Sequence, residues 1–298
     1  MEAFQQLVGL RPCSPLFARR EVQQIDMPRS PTTYPVHSDA LWTIERGVSP
    51  VVATAIHNGH TVRKELEGLY ALSSDQRLRE EDPFTEFIAR DVPNRIVFHR
   101  SRFEVDINRA RDGAIYLTPE QAWGLNVWKD RLSSENSSAS LQAHDDYYEM
   151  LLAFLKGIER WHGRFVVLDI HSYNHRRAGP ATAPTAQAEA PHINIGTSSM
   201  DRARWRHVLD AVTDHFQSFE IDGSRLDVRE NIAFQGKGEQ TRFIHEHFPR
   251  TGCAIAVEFK KFFMDEWTGE PDLDVLEKLR GIIASTVPLL EQVLGSKR

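Results

Sequence analysis

The apolar run "VVLDI" leads directly into His171, and "VVATAI" leads in the same way into His57. A third run, "CAIAV", delivers Glu258. Imidazole nitrogens and carboxylate oxygens at the ends of separate apolar runs can bind a metal or relay a proton. Two histidines and one carboxylate on zinc leave a fourth position for water or substrate, and a carboxylate outside that shell can take a proton from the water. The turn "REEDPFTEF" supplies Glu80, Glu81 and Asp82 as acidic candidates, and Glu258 stands on its own run. Taken singly, each residue has a plainer role. A histidine at a strand end is commonly a satisfied polar group, an acidic turn a solvated helix end, and Glu258 a partner for Lys260 or Lys261.

In open α/β sheets the loops diverge at the carboxyl ends of the strands, and ligands gather there. The runs at 51–56, 96–99, 166–170, 193–195 and 253–259 read as strands alternating with helical patterns. They predict an α/β fold, a mixed and mostly parallel sheet with helices on both faces. "YYEMLLAFLKGIERWHG" has helical spacing and closes on Gly163, a helix-ending residue. "SMDRARWRHVLDAVTDHFQSF" reads as a helix with Ser199 as its cap, and "DLDVLEKLRGIIASTVPLLEQVL" as one that Pro288 should kink or interrupt. The serine-rich stretch 131–146 and the alanine- and proline-rich stretch 176–191 read as long surface loops. Residues 1–50 suggest a hairpin or irregular apron on a single catalytic domain spanning 1–298.

The 298 residues, 41% of them hydrophobic, are enough for one large core. A formal charge of −6 and a pI near 6.1 exclude a global basic field for nucleic acid or an anionic membrane, so an anionic substrate must be gripped locally by arginines. Only Cys13 and Cys253 are present, Cys253 within an apolar run, which argues for a reducing compartment and, by default, the cytoplasm. No apolar segment resembles a signal peptide or approaches the roughly 20 residues that span a bilayer.

Five stretches, in order, resemble the N-formylglutamate amidohydrolase family: "PVVATAIHNGH", "SRFEVDINR", "DIHSYN", "INIGT" and "VEFKKFFMDE". The family's fold is similar to that of the zinc carboxypeptidases, a phosphorylase/hydrolase-like architecture. The resemblance implies zinc on His57, His171 and an acid of the "EEDPFT" turn, aligned at Asp82 with Glu81 one residue away. It implies Glu258 as general base and Asn108 with Arg109 as the grip on a substrate carboxylate, which a planar guanidinium can hold with two parallel bonds. Arg102 could reach the crevice to stabilise an oxyanion, or point to solvent. Asp169 lies on the same side of an extended strand as His171 and could orient an imidazole or serve as a structural carboxylate.

The implied reaction is hydrolysis of a small acidic N-acyl amino acid, N-formyl-L-glutamate in the first place. Small peptides or other N-acyl acids are an alternative, as is a non-catalytic protein that holds an acidic ligand through Arg109. Asn58 stands where the family has a smaller residue, and His60 adds an imidazole that would line the pocket. His175 and His192 are expected to serve the loop between them.

Overall fold

All five residues of Val51–Ala55 are buried, as are all nine of Phe165–Tyr173 and all nine of Gly252–Lys260. Strands buried on both faces must lie inside a sheet that helices cover on each side. The structure, a computed structural model, describes residues 32–33 and 40–295. Its strands are β1 (Thr32–Thr33), β2 (Trp42–Arg46), β3 (Val51–Ala55), β4 (Asn94–Phe98), β5 (Phe165–Tyr173), β6 (Ile193–Gly196), β7 (Glu220–Ile221), β8 (Ser224–Arg225), β9 (Val228–Glu230) and β10 (Gly252–Lys260).

Among the described residues eight strands form one sheet, in the order β1, β2, β4, β3, β5, β10, β6, β9, and β7 pairs with β8 apart from it. The four central strands β4, β3, β5 and β10 are parallel; β6 runs antiparallel to β10 and β2 antiparallel to β4. This is the expected α/β class with a mixed, mostly parallel sheet.

The helices are α1 (Ser74–Glu80), α2 (Thr85–Ala89), α3 (Ser134–His162), α4 (Arg202–Gln217), α5 (Glu239–His247) and α6 (Leu273–Gly295). On one face Val51, Leu168 and Ile255 pack with Trp205 and Leu209 of α4 and Leu279 of α6. On the other Val52, Val167 and Ala254 pack with Leu151 and Leu155 of α3 and Ile244 of α5. Alternating strand side chains thus feed two apolar layers, each closed by a helix stripe. No helix among the described residues is long and apolar enough to cross a membrane.

Several expectations need correction. The stretch 131–146 is not a loop: α3 starts at Ser134, where the Ser133 hydroxyl accepts from the Asn136 N–H, and the helix buries Ser140, Ala143 and His144 in line with Tyr147. Its buried stripe is built of small and polar residues, which hides the helical period. The cap of α4 is Asp201, accepting from the Arg204 N–H at 3.1 Å, while Ser199 Oγ lies 3.1 Å from His245 Nδ1. Strand β5 continues past Ile170 through His171 to Tyr173. Helix α6 runs through Pro288 uninterrupted, because Ile283, Val287, Leu290 and Leu294 bury a continuous stripe whose gain exceeds the roughly 3 kcal/mol cost of an internal proline. Gly163 ends α3 with φ of 75°, and 176–191 is irregular and largely exposed, both as expected. Of the expected apron, positions 1–31 and 34–39 lie outside the described residues; β1 and β2 pair antiparallel within it.

Helix α5 is tied to the sheet by His245, whose Nε2 accepts the Ala254 N–H of β10 at 3.0 Å. Burial pushes this imidazole down from its ordinary 6.5 to about 4. The unfolded chain therefore takes up a proton between pH 6.5 and 4 that the folded chain refuses, so this stability is full above 6.5 and is lost as pH falls toward 4. In denaturant titrations across that window, wild type should lose on the order of 2–3 kcal/mol more than His245→Gln.

Candidate active site

The register of four strands sets side chains in rows across the sheet. Thr54, Asp169, Ala256 and Gly196 form one row, and His171, Glu258 and Asn194 the next, two residues further along the parallel strands β5 and β10. Both rows lie on the face of α3 and α5, at the carboxyl ends where a crevice is expected. The small side chain of Ala256 leaves space beside Asp169, and a cavity of about 490 Å³ opens there.

His57 follows β3 and Asp82 follows α1; the Asp82 N–H donates to the His57 carbonyl at 2.9 Å, which fixes the two segments together. Asp82 Oδ2 lies 3.4 Å from His57 Nδ1 and 3.1 Å from His171 Nδ1. The far nitrogens have carboxylates of their own: His57 Nε2 is 2.8 Å from Asp106 Oδ1, and His171 Nε2 is 3.1 Å from Asp169 Oδ2. When each ring is neutral with its proton on Nε2, beside those carboxylates, each Nδ1 presents a lone pair toward Asp82.

His57 Nδ1 is buried with no hydrogen-bond partner, and one ligand atom from each of His57, Asp82 and His171 falls within 4.8 Å of the others. Two lone pairs and an anion aimed at one point repel unless a cation or proton lies among them. Two nitrogens and one oxygen are a donor set that suits zinc, so these residues fit such an ion.

The neighbouring acids point elsewhere. Glu81 accepts from Ser101 Oγ and contacts His60 Nδ1 at 2.5 Å, and Glu80 pairs with Arg177 at 3.0 Å. His60 is thereby tied to Glu81, His175 lies 3.8 Å from Glu266, and His192 accepts the Asp227 N–H at 3.1 Å.

Burial opposes the charge on Asp82, but the adjacent His171 and His57 imidazoles outweigh it and hold the carboxyl well below the usual range. Burial is likewise overcome at Asp106 by Arg102 and His57, which keep it an anion. Glu258 goes the other way: burial pushes its carboxyl up to about 7 against the pull of His171. It can therefore gain and lose a proton near neutrality. Lys260 donates instead to Gln187 and to the Ala190 carbonyl, and Lys261 to the carbonyls of Arg79 and Glu81, so neither is taken up by Glu258.

Arg102 faces the cavity and donates to Asp106 Oδ2 at 2.8 Å, an oxygen that also takes the Tyr116 hydroxyl. Asn108 Nδ2 comes within 3.4 Å of His171 Nε2. Arg109 lies over the Tyr116 ring at 4.5 Å, donates to the Gln121 carbonyl at 2.7 Å and remains about one-third exposed. All three arginine and asparagine side chains line the cavity with Glu258 and the two histidines.

The sequence reading missed the far wall. Residues 233–238 form a strap along the cavity, held where Asn194 Oδ1 accepts the N–H groups of Ile232 and Ala233 and Asn194 Nδ2 donates to the Phe234 carbonyl. Asn194 is the third member of the Glu258 row, so one register sets both the Glu258 face and the strap. Two close glycines, "GKG", were the available signal. Between them Lys237 lines the cavity, its ammonium joined to no other described residue by a hydrogen bond or ion pair.

The sequence profile of the family described as N-formylglutamate amidohydrolase matches residues 49–264. No curated protein matches. A crystal structure of an N-formylglutamate amidohydrolase from Ralstonia eutropha JMP134 superposes with a TM-score of 0.67 at 16% identity, covering 85% of this chain and 99% of that one. A gene product of Agrobacterium tumefaciens superposes with a TM-score of 0.59 at 17% identity, covering 86% and 93%. At these identities the likeness is one of fold.

Gly236 has φ of +68°, and a Cβ there would meet the Gly196 carbonyl carbon at 2.3 Å. Gly236→Ala should cost about 1–3 kcal/mol through strain and backbone displacement, read as a lower thermal unfolding temperature. The conservative exchange Gly68→Ala, where a Cβ meets nothing within 4 Å, serves as the control.

Proposed function

The chain belongs to the N-formylglutamate amidohydrolase family, and from that premise we propose that it is a zinc-dependent hydrolase of the amide bond of N-acyl amino acids. N-formyl-L-glutamate, cleaved to L-glutamate and formate, is the leading substrate. The observation that carries the reading is the pair of Nδ1 lone pairs converging with Asp82 beside a Glu258 whose carboxyl titrates near neutrality. His57, Asp82 and His171 would hold the metal. When bound, zinc would supply Lewis acidity, which polarises a carbonyl and makes water a better nucleophile.

The chain's own residues do the rest. Glu258, in register with His171 on the neighbouring strand, takes a proton from the attacking water and passes it to the leaving nitrogen. Arg102, held by Asp106, presents a fixed positive charge to the developing oxyanion. Arg109 and Asn108 hold the α-carboxylate, and Lys237, which has no partner among the described residues, suits the side-chain carboxylate.

A cavity of about 490 Å³ lies within the range that encloses ligands well beyond the dozen or so heavy atoms of N-formylglutamate. That volume favours, as a second reading, larger N-acyl acids or small peptides on the same machinery. A cytoplasmic location belongs to the proposal and is supported by the buried, unpaired thiol of Cys253.

Protein purified without chelators should carry about one equivalent of zinc by elemental analysis, the stoichiometry of a single open site. Glu258→Gln should retain that zinc and lose activity by about 1,000-fold or more, since it removes the proton acceptor and leaves the ligands. Unchanged turnover would take Glu258 out of the mechanism. Lys237→Gln should lower kcat/KM for N-formylglutamate roughly tenfold relative to an N-formyl amino acid with an uncharged side chain, chiefly through KM.

A further inference from the structure

Asp169 is fully buried, so its charge must be answered by nearby donors. Oδ1 accepts from Thr54 Oγ1 at 2.8 Å and from Gln240 Nε2 at 2.6 Å. Oδ2 is buried without a hydrogen bond in this geometry and lies 3.1 Å from His171 Nε2, the one nitrogen placed to answer it. Gln240, at the start of α5, is itself fully buried, and its amide cannot turn over: the carboxylate demands the NH₂ group, and Oε1 accepts the Tyr147 hydroxyl at 2.5 Å. The same residue's backbone N–H donates to Asn108 Oδ1 at 3.3 Å. A chain of contacts therefore runs from Tyr147 in α3 through Gln240 in α5 to Asp169 and His171 in β5.

We infer that Gln240 is a positioning residue: its amide locks the Asp169 carboxylate so that Oδ2 holds the Nε2 proton of His171 and Nδ1 becomes the metal-binding atom. The inference rests on the zinc reading proposed above. Thr54 alone gives Oδ1 one donor, and a carboxylate with one donor can rotate toward other partners and release the imidazole from its tautomer. Loss of such an outer hydrogen bond typically costs 10–100-fold in metal affinity. Because Gln240 also holds Asn108, the first turn of α5 ties the substrate wall to a metal ligand.

The test is zinc affinity of the full-length apo protein, measured by competition with a chromophoric chelator for wild type, Gln240→Leu and Tyr147→Phe, beside apo thermal melts. Gln240→Leu should bind zinc at least about tenfold more weakly, and Tyr147→Phe about threefold more weakly, because it frees the amide without removing it. A role in folding alone would lower the apo melting temperature and leave the zinc Kd within twofold of wild type, which would overturn the inference. Should Gln240→Leu fail to fold, Tyr147→Phe decides by the same criterion. A wild type that binds no zinc would remove the metal reading and this one with it; a wild type that binds zinc beside variants that bind equally removes Gln240 alone.

Discussion

Three carboxylates, Asp82, Asp106 and Asp169, are buried within reach of two imidazoles, and the need to answer their charge governs how the surrounding chain is arranged. An isolated carboxylate away from water costs several kcal/mol or more, so each must find donors or a cation. Asp106 is met by Arg102, Tyr116 and His57; Asp169 by Thr54, Gln240 and His171. Asp82 accepts the Ser172 hydroxyl on Oδ1 and sets Oδ2 between the Nδ1 atoms of the two imidazoles. The point between that oxygen and the two ring nitrogens is the one that fits a divalent ion. Fold stability and ligand chemistry thus draw on the same contacts.

The sheet makes this arrangement possible because it fixes register across four strands. A one-residue slip of β10 would turn Glu258 to the opposite face and bring Val257 beside His171. The nine-residue pairing of β5 with β10, buried throughout, prevents such a slip, since it would expose or mispack every side chain of the strand. Burial on both faces also strips water from Glu258, and the same desolvation that stabilises the core raises that carboxyl toward neutrality. The core and the proton chemistry therefore share one cause.

The cavity's substrate side is built differently, from irregular chain rather than strands. The segment 101–109 is pinned through Asp106, which accepts from the Asn108 N–H as well as from His57 and Arg102. The strap at 233–238 is pinned through Asn194 and through the backbone contact of Gly236 with Gly196. Loops held to a rigid sheet by a few buried polar anchors keep cavity residues in place while leaving the opening free to differ in size.

Much of this was legible in the amino-acid order. Apolar runs ending in His57, His171 and Glu258 announce strands that deliver polar groups to one edge, because local hydrophobicity reports burial and strand ends report the crevice. The helix at 134–162 shows no helical signal over its first turns, since Ser140, Ala143 and His144 bury a face without the large apolar residues that make a period visible. The choice of Asp82 over Glu81 as neighbour of the histidines, the pairing of each imidazole with its own carboxylate, and the part played by Gln240 and Asn194 belong to tertiary structure. Those outcomes depend on which distant side chains arrive within about 3 Å in the correct orientation, and one-dimensional pattern carries residue type and period but not that meeting.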